Sequence, residues 1–377
     1  MADRPVHAIR REHLDALTGE LGIWQHASGP TPNLAYGYCT DDVARALVVD
    51  LLHARELGWA AISGSAWRSL RFLRAAFDRD DAWFRNFRSR DGSWSRERGS
   101  EDCQGRALLA LASAAGATGD GRFADVAREL LAEAMPAAGR LRALRAISSA
   151  LIACDLALDA RSLPWGLRAQ IVARFEQLAA ALRDGFVAVD VASDWPWPEP
   201  VLTYENALLP RALLVAGRRL DDEALRRAGR GVLAWLLRVQ TTAGGAFSPI
   251  GSDAWWRRGG DTRSRFDQQP IEATSTILAC EEAFRQSGDR AGLVAIESAY
   301  AWFLGANDLG IPVAVVETGG CHDALTPLGV NLNQGAESTL MWLTALEHVR
   351  RLRRETGVRP QYQRPRSVAA VAAGGRS

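Results

Sequence analysis

GYCTDDVARAL, residues 37–47, decides the fold. A glycine-aromatic turn runs into two adjacent acids, Asp41 and Asp42, and then into an apolar stretch that continues as ARALVVDLLHAREL. Apolar residues there recur at three- and four-residue spacing, the mark of a helix with one buried face. The acids fall in its first turn, where the helix dipole favours negative charge and Thr40 is a natural cap. Consecutive helical residues point about 100° apart. The two acids are therefore expected to divide the work: Asp41 caps, and Asp42 faces an axis, with Arg45 pairing with it along the same face.

The pattern returns. TDDVARAL, SEDCQGRALLAL, TYENALLPRALL, QPIEATSTILA and QGAESTLMWLTAL each open a small-residue-rich helix with an acid: Asp42, Asp102, Glu205, Glu272 and Glu337. The interval is roughly 60 residues, with one longer gap that LRALRAISSALIACDL fills. Bulkier helices such as SAWRSLRFLRAAF, LRAQIVARFEQLAAAL and RAGLVAIESAYAWFLG lie between. Helix stops are expected at Gly58, Gly116, Gly217 and Gly288. Alternating strand runs are scarce, and IPVAVVE (311–317) is the best short candidate. The class is all-α. Six inner and six outer helices predict an (α/α)6 toroid, closed because its period exceeds that of the common solenoids. Residues 1–357 form the single domain, and 358–377, without periodicity, a disordered tail.

Composition narrows the function. The chain has 377 residues, 47% hydrophobic and 24% charged, with a formal net charge of +1. That balance directs no strong field at nucleic acid or an anionic membrane, and neither is expected as a partner. No apolar run reaches the ~18 residues of a membrane span. The N-terminus does not read as a secretory signal. Five cysteines without a CxxC fit free thiols in a reducing compartment, so the expected location is the cytoplasm.

In such a ring the inner helices run parallel and their N-termini gather at one mouth. Five carboxylates converging there would be costly without a use, and a partly dry acidic cleft suits general acid–base chemistry. Long connectors enter the same mouth: DWPWPEP (194–200), which three prolines keep from being helical, and the loops 243–270 and 318–335. The candidate catalytic residues are Asp42, Asp102, Glu205, Glu272 and Glu337. The candidate substrate-binding residues are Trp24, His26, Tyr38, Asp41, Arg45, Trp195, Trp197, Tyr204, Asn206, Gln269, His322, Asn333 and Gln334. Aromatic platforms beside amides, His and Arg suit a polyhydroxylated ligand. Inverting glycoside hydrolysis needs one protonated and one ionised carboxyl with a water between them. The expected activity is oligosaccharide hydrolysis, with no metal or cofactor. The sugar and the oligomeric state are left open.

At these residues the sequence resembles bacterial six-hairpin glycosidase-like proteins, often labelled glycosyltransferase-associated. The matching segments are Gln25-His26, GYCTDDVARAL, GSEDCQGRALLAL (99–111), WPWPEPVLTYENALLPRALL (195–214) and NQGAEST (333–339). The resemblance implies the (α/α)6 fold and a carbohydrate ligand, without fixing a reaction. Val43 stands where that pattern has Asn, and Cys103-Gln104 where it has Ser-His. If that His touches substrate, this chain has lost the contact.

Three other readings compete. Zinc would need three or four convergent ligands; the chain has Cys39 and many acids, but only the Cys321-His322 pair looks suggestive, and no second spaced pair accompanies it. A terpene-cyclase-like toroid would use SRDGSWS (89–95) and VQTTAGGAFS (239–248) as repeat motifs but wants an apolar cavity. A sugar epimerase would use paired histidines, for which His26 and His322 are best placed, and a binding module would need no acid at all.

Overall fold

The computed structural model describes residues 7–160, 163–190 and 192–357, so the segment 358–377 lies outside the described residues. A short helix, α1 (Glu12–Leu17), comes first, followed by a hairpin of β1 (Trp24–Ser28) and β2 (Thr31–Cys39). Five helical hairpins follow: α2 (Thr40–Leu57) with α3 (Trp59–Ala76), α4 (Glu101–Ala115) with α5 (Gly121–Ala134), α6 (Leu144–Leu158) with α7 (Trp165–Phe186), α8 (Leu208–Leu220) with α9 (Glu223–Val239), and α10 (Pro270–Ser287) with α11 (Ala291–Phe303). The last helix is α12 (Ala336–Thr356).

The even-numbered helices pack in sequence order, and α12 packs back on α2. This closes the inner ring of an (α/α)6 toroid. Each odd-numbered helix from α3 to α11 backs its inner partner. The sixth outer helix is only α1, which buries His13, Leu14 and Leu17 against the C-terminal helix. Chain ends thus complete the ring together: His13 Nε2 lies 2.7 Å from the Gln334 carbonyl, and its backbone N–H donates to the Thr318 carbonyl.

Small residues set the ring's tightness. At Gly105 of α4 an added Cβ would meet the Ala146 carbonyl and Ser149 Cβ of α6, both at 2.9 Å. Gly58 and Gly288 end their helices with φ of +80° and +71°, and Gly116 ends α4. Gly217 does not end α8. The helix runs on to Leu220 and stops at Asp221 in the left-handed region. Gly217 is there for packing, since a Cβ would meet the α9 backbone at Arg226 N, 2.7 Å away.

Strand structure departs from expectation. The segment 311–317 contributes only Ala314–Val315, paired with Gly320–Cys321. The main hairpin, β1 with β2, turns at Gly29-Pro30, and Tyr38–Cys39 of β2 also pairs with Phe87–Arg88. All five cysteines are buried and free. Among the described residues no helix is long and apolar enough to cross a membrane.

Candidate active site

The first turns of the inner helices are tied to one another at one end of the ring by three arginine-centred networks. The first joins α2 to α12. Arg45 Nη1 donates to Asp42 Oδ1 at 3.2 Å, and its Nη2 lies 2.8 Å from Glu337 Oε2. Asp42 and Arg45 are buried, whereas the Glu337 side chain is 40% exposed. Burial lifts the Asp42 carboxyl to about 7; Arg45 opposes the rise, and Glu337 and Asp41 add to it.

The second network spans the ring. Arg106 of α4 donates to Asp41 Oδ1 at 3.3 Å and to Glu205 Oε2 at 2.9 Å, with Asp102 Oδ2 at 3.9 Å. Glu205 belongs to the turn entering α8, and α6 stands between α4 and α8 in ring order, so this pairing reaches past a whole helix. Burial alone would lower Arg106, but Glu205, Asp41 and Asp102 outweigh it and hold the guanidinium well above its ordinary value. Tyr204 Oη donates to Asp102 Oδ2 at 2.6 Å, and burial followed by this bond raises the phenol.

The third network joins α6 and α10 to the turn that enters α8. Arg145 of α6 donates to both Glu199 oxygens at 3.0 and 2.9 Å, to Thr203 Oγ1 at 2.8 Å and to Asn206 Oδ1 at 3.3 Å. Glu272 of α10 accepts the backbone N–H groups of Glu205 and Asn206 and the Asn206 side-chain amide. These donors hold a strained turn. Glu205 has φ of +48°, costly for a residue with a Cβ. Burial raises the Glu272 carboxyl to about 7 against the pull of those donors.

All five candidate carboxylates therefore take part in these networks, Asp42 and Glu337 in the first and Asp102, Glu205 and Glu272 in the other two, but their roles separate. Asp102, Glu205 and Glu337 retain exposure at the mouth. Asp42 sits behind Arg45, and both Glu272 oxygens are spent on the turn. Asp41 is not a cap: α2 starts without a side-chain cap, and Asp41 instead pairs with Arg106 and accepts from Asn86 Nδ2 at 3.1 Å. Thr40 donates to the Arg85 carbonyl instead of capping. Ser100 does cap α4. Thr203 does not cap a helix either, because the strained turn delays α8 to Leu208.

The predicted binding residues divide too. His26 Nδ1 lies 3.2 Å from Asn333 Nδ2, edge-on to the exposed Tyr36. Tyr204 lies under Trp255 and over the Arg145 guanidinium. Gln269 is partly exposed at the start of α10. Other candidates are structural. Trp24 stacks on the buried Tyr38, which packs on Phe72. Trp195 and Trp197 are buried against Trp235, and Asn206 is wholly buried. Gln334 is buried beside His13, and His322 is partly buried, its pKa lowered by burial. The departures from the family pattern also point inward: Val43 is core, and Gln104 bonds both backbone groups of Phe84.

Arg106, Arg145 and Asn86 escaped the sequence reading, and Trp255, legible there only as one of a Trp pair, was not among the candidate site residues. Trp255 has φ of +58°, an outlier for an aromatic, beside Tyr204. For Arg106 a signal existed: it follows Asp102 by four residues as Arg45 follows Asp42 by three. Among the described residues no group of three or more His, Cys, Asp or Glu could hold a metal ion.

Solved structures share this toroid. A cellobiose 2-epimerase from Spirochaeta thermophila superposes with a TM-score of 0.66 at 16% identity, covering 94% of this chain and 92% of its own. A sugar epimerase from a ruminal bacterium gives 0.66 at 13%, covering 89% and 94%. A GH76 α-mannanase from Bacteroides thetaiotaomicron gives 0.61 at 12%, covering 92% and 96%. No family model and no curated protein matches the sequence. At these identities the likeness is one of fold.

Proposed function

We propose that the chain is a carbohydrate-acting enzyme that hydrolyses an oligosaccharide by inversion. One observation carries this reading: a buried carboxyl held near 7, Asp42, shares a guanidinium with the mouth-facing Glu337, while Glu205 is fixed against a different arginine. Asp42, lifted to about 7, is partly protonated near neutral pH and is joined to Glu337 through Arg45. Glu337, facing the mouth across Arg45, takes the part of the acid that protonates the glycosidic oxygen. Glu205, braced by Glu272 and oriented by Arg106, accepts a proton from the attacking water. Asp102, bonded to Tyr204, and His26 with Asn333 bind sugar hydroxyls, and Trp255 offers a ring face. The likeness to six-hairpin glycosidase-like sequences supports the same substrate class.

A second reading is sugar epimerisation, which His26, oriented by Asn333, favours. One experiment separates the two. Oligosaccharides are incubated with the protein in D2O and the products followed by NMR. Hydrolysis yields shorter sugars with new reducing ends, inverted at the anomeric carbon. An intact sugar carrying deuterium beside its carbonyl carbon assigns the epimerase instead.

A further inference from the structure

A cavity of about 470 Å³ runs along the ring axis beneath the ion-paired mouth. Arg45, Arg106 and Glu205 form its roof. Its other end is bounded by the last turns of α2, α4, α6 and α10, at Arg55, Gly116, Asp159 and Arg285. The cavity therefore faces the end of the toroid opposite the mouth.

Its acids already have partners. Glu281 is held by His348 at 2.6 Å, Arg351 at 2.6 Å and Arg285 at 2.8 Å. Glu282 pairs with Arg218, and Asp159 with Arg219. Arg211 has no such partner. It lines the cavity from α8, its Nε is cut off from solvent without a hydrogen bond, and no carboxylate among the described residues lies within ion-pair distance. Burial lowers its pKa, a rise toward normal coming only at a distance from Glu282 and Glu281. Arginines in last turns, such as Arg55 and Arg285, complement helix dipoles. Arg211 lies in the first turn of α8, where the dipole opposes a cation. The side chain as a whole is only partly buried, so the guanidinium opens onto the cavity as an unpaired cation that an occupant can satisfy.

We propose that the axial cavity is an anion site, with the Arg211 guanidinium taking a phosphoryl group that enters from the end opposite the mouth and with Arg55 at the entrance. A planar guanidinium matches such an oxyanion with two parallel hydrogen bonds. The volume exceeds that of free phosphate and lies in the range of small-ligand sites, so a phosphate ester also fits. This site does not depend on the reaction at the mouth.

Thermal unfolding of the full chain is followed against inorganic phosphate, at ionic strength held constant with chloride. The melting temperature of the wild-type protein rises with phosphate and not with chloride. Arg211→Gln melts higher than wild type without phosphate, because the unpaired cation is gone, and its affinity for phosphate falls about ten- to a hundredfold. A hexose phosphate arm distinguishes the source: tighter binding than phosphate assigns an ester, equal binding the free ion. A wild-type response no greater than that to chloride, or an equal response in Arg211→Gln, overturns the proposal. A crystal grown with phosphate supplies a check that needs no variant. Density against Arg211 supports the site, and density only at surface arginines contradicts it.

Discussion

Asp42 concentrates the chemistry of the site in one carboxyl. Its folded pKa of about 7 stands above its ordinary 3.8 because the group is buried, and Arg45 only partly restores it. In the window between those values the folded state binds more protons than the unfolded one. Stability contributed by this group is complete below the lower value and is lost as pH rises through 7. Glu272 and Glu347, also lifted to about 7 by burial, act in the same direction. His13, His53, His322 and His348, lowered from 6.5 by burial, oppose them at lower pH. Unfolding free energy should therefore fall from about pH 6.5 to 8, as denaturant titrations at several pH values will show. Asp42→Asn should flatten that slope and raise stability at pH 8 by up to roughly 4 kcal/mol; an unchanged slope would mean Asp42 is ionised throughout. The helical spacing of Asp42 and Arg45 made their pairing readable from sequence. The Asp41–Arg106–Glu205 bridge was not, because it joins residues that only ring closure brings together.

Inner helices were the most legible elements, since Ala-rich faces at helical spacing repeat wherever helices crowd an axis. Gly105 shows what that crowding demands: α4 and α6 meet with no room for a methyl group. Gly105→Ala should cost about 1–3 kcal/mol, measured by urea unfolding, whereas Gly121→Ala, with open space at its Cβ, should not. The β1–β2 hairpin was illegible for a physical reason. Its strands are partly exposed on both faces until the last three residues of β2, which are buried, so no clean alternation marks them. The start of α8 was misplaced for another. The turn at Glu205 and Asn206 is stabilised by Glu272 from a different helix, and nothing local announces it.

At the scale of the molecule, the toroid closes through its ends. The six residues of α1 stand in for a whole outer helix, and the last of them, Leu17, is fully buried. Leu17→Ala should cost about 2–5 kcal/mol despite its place in a minimal helix, seen as a lower melting temperature of the whole protein in one transition. Loss confined to a separate early transition would show that α1 is peripheral. Closure is also what turns five helix starts into one acidic mouth, and the proposed hydrolysis stands on that convergence. The direct measurement is turnover of a cleaved oligosaccharide by wild type, Glu337→Gln and Glu205→Gln, with melting temperatures recorded alongside. The account predicts that each variant melts close to wild type and loses at least about a hundredfold in rate. Folded variants that both keep wild-type rates would contradict it.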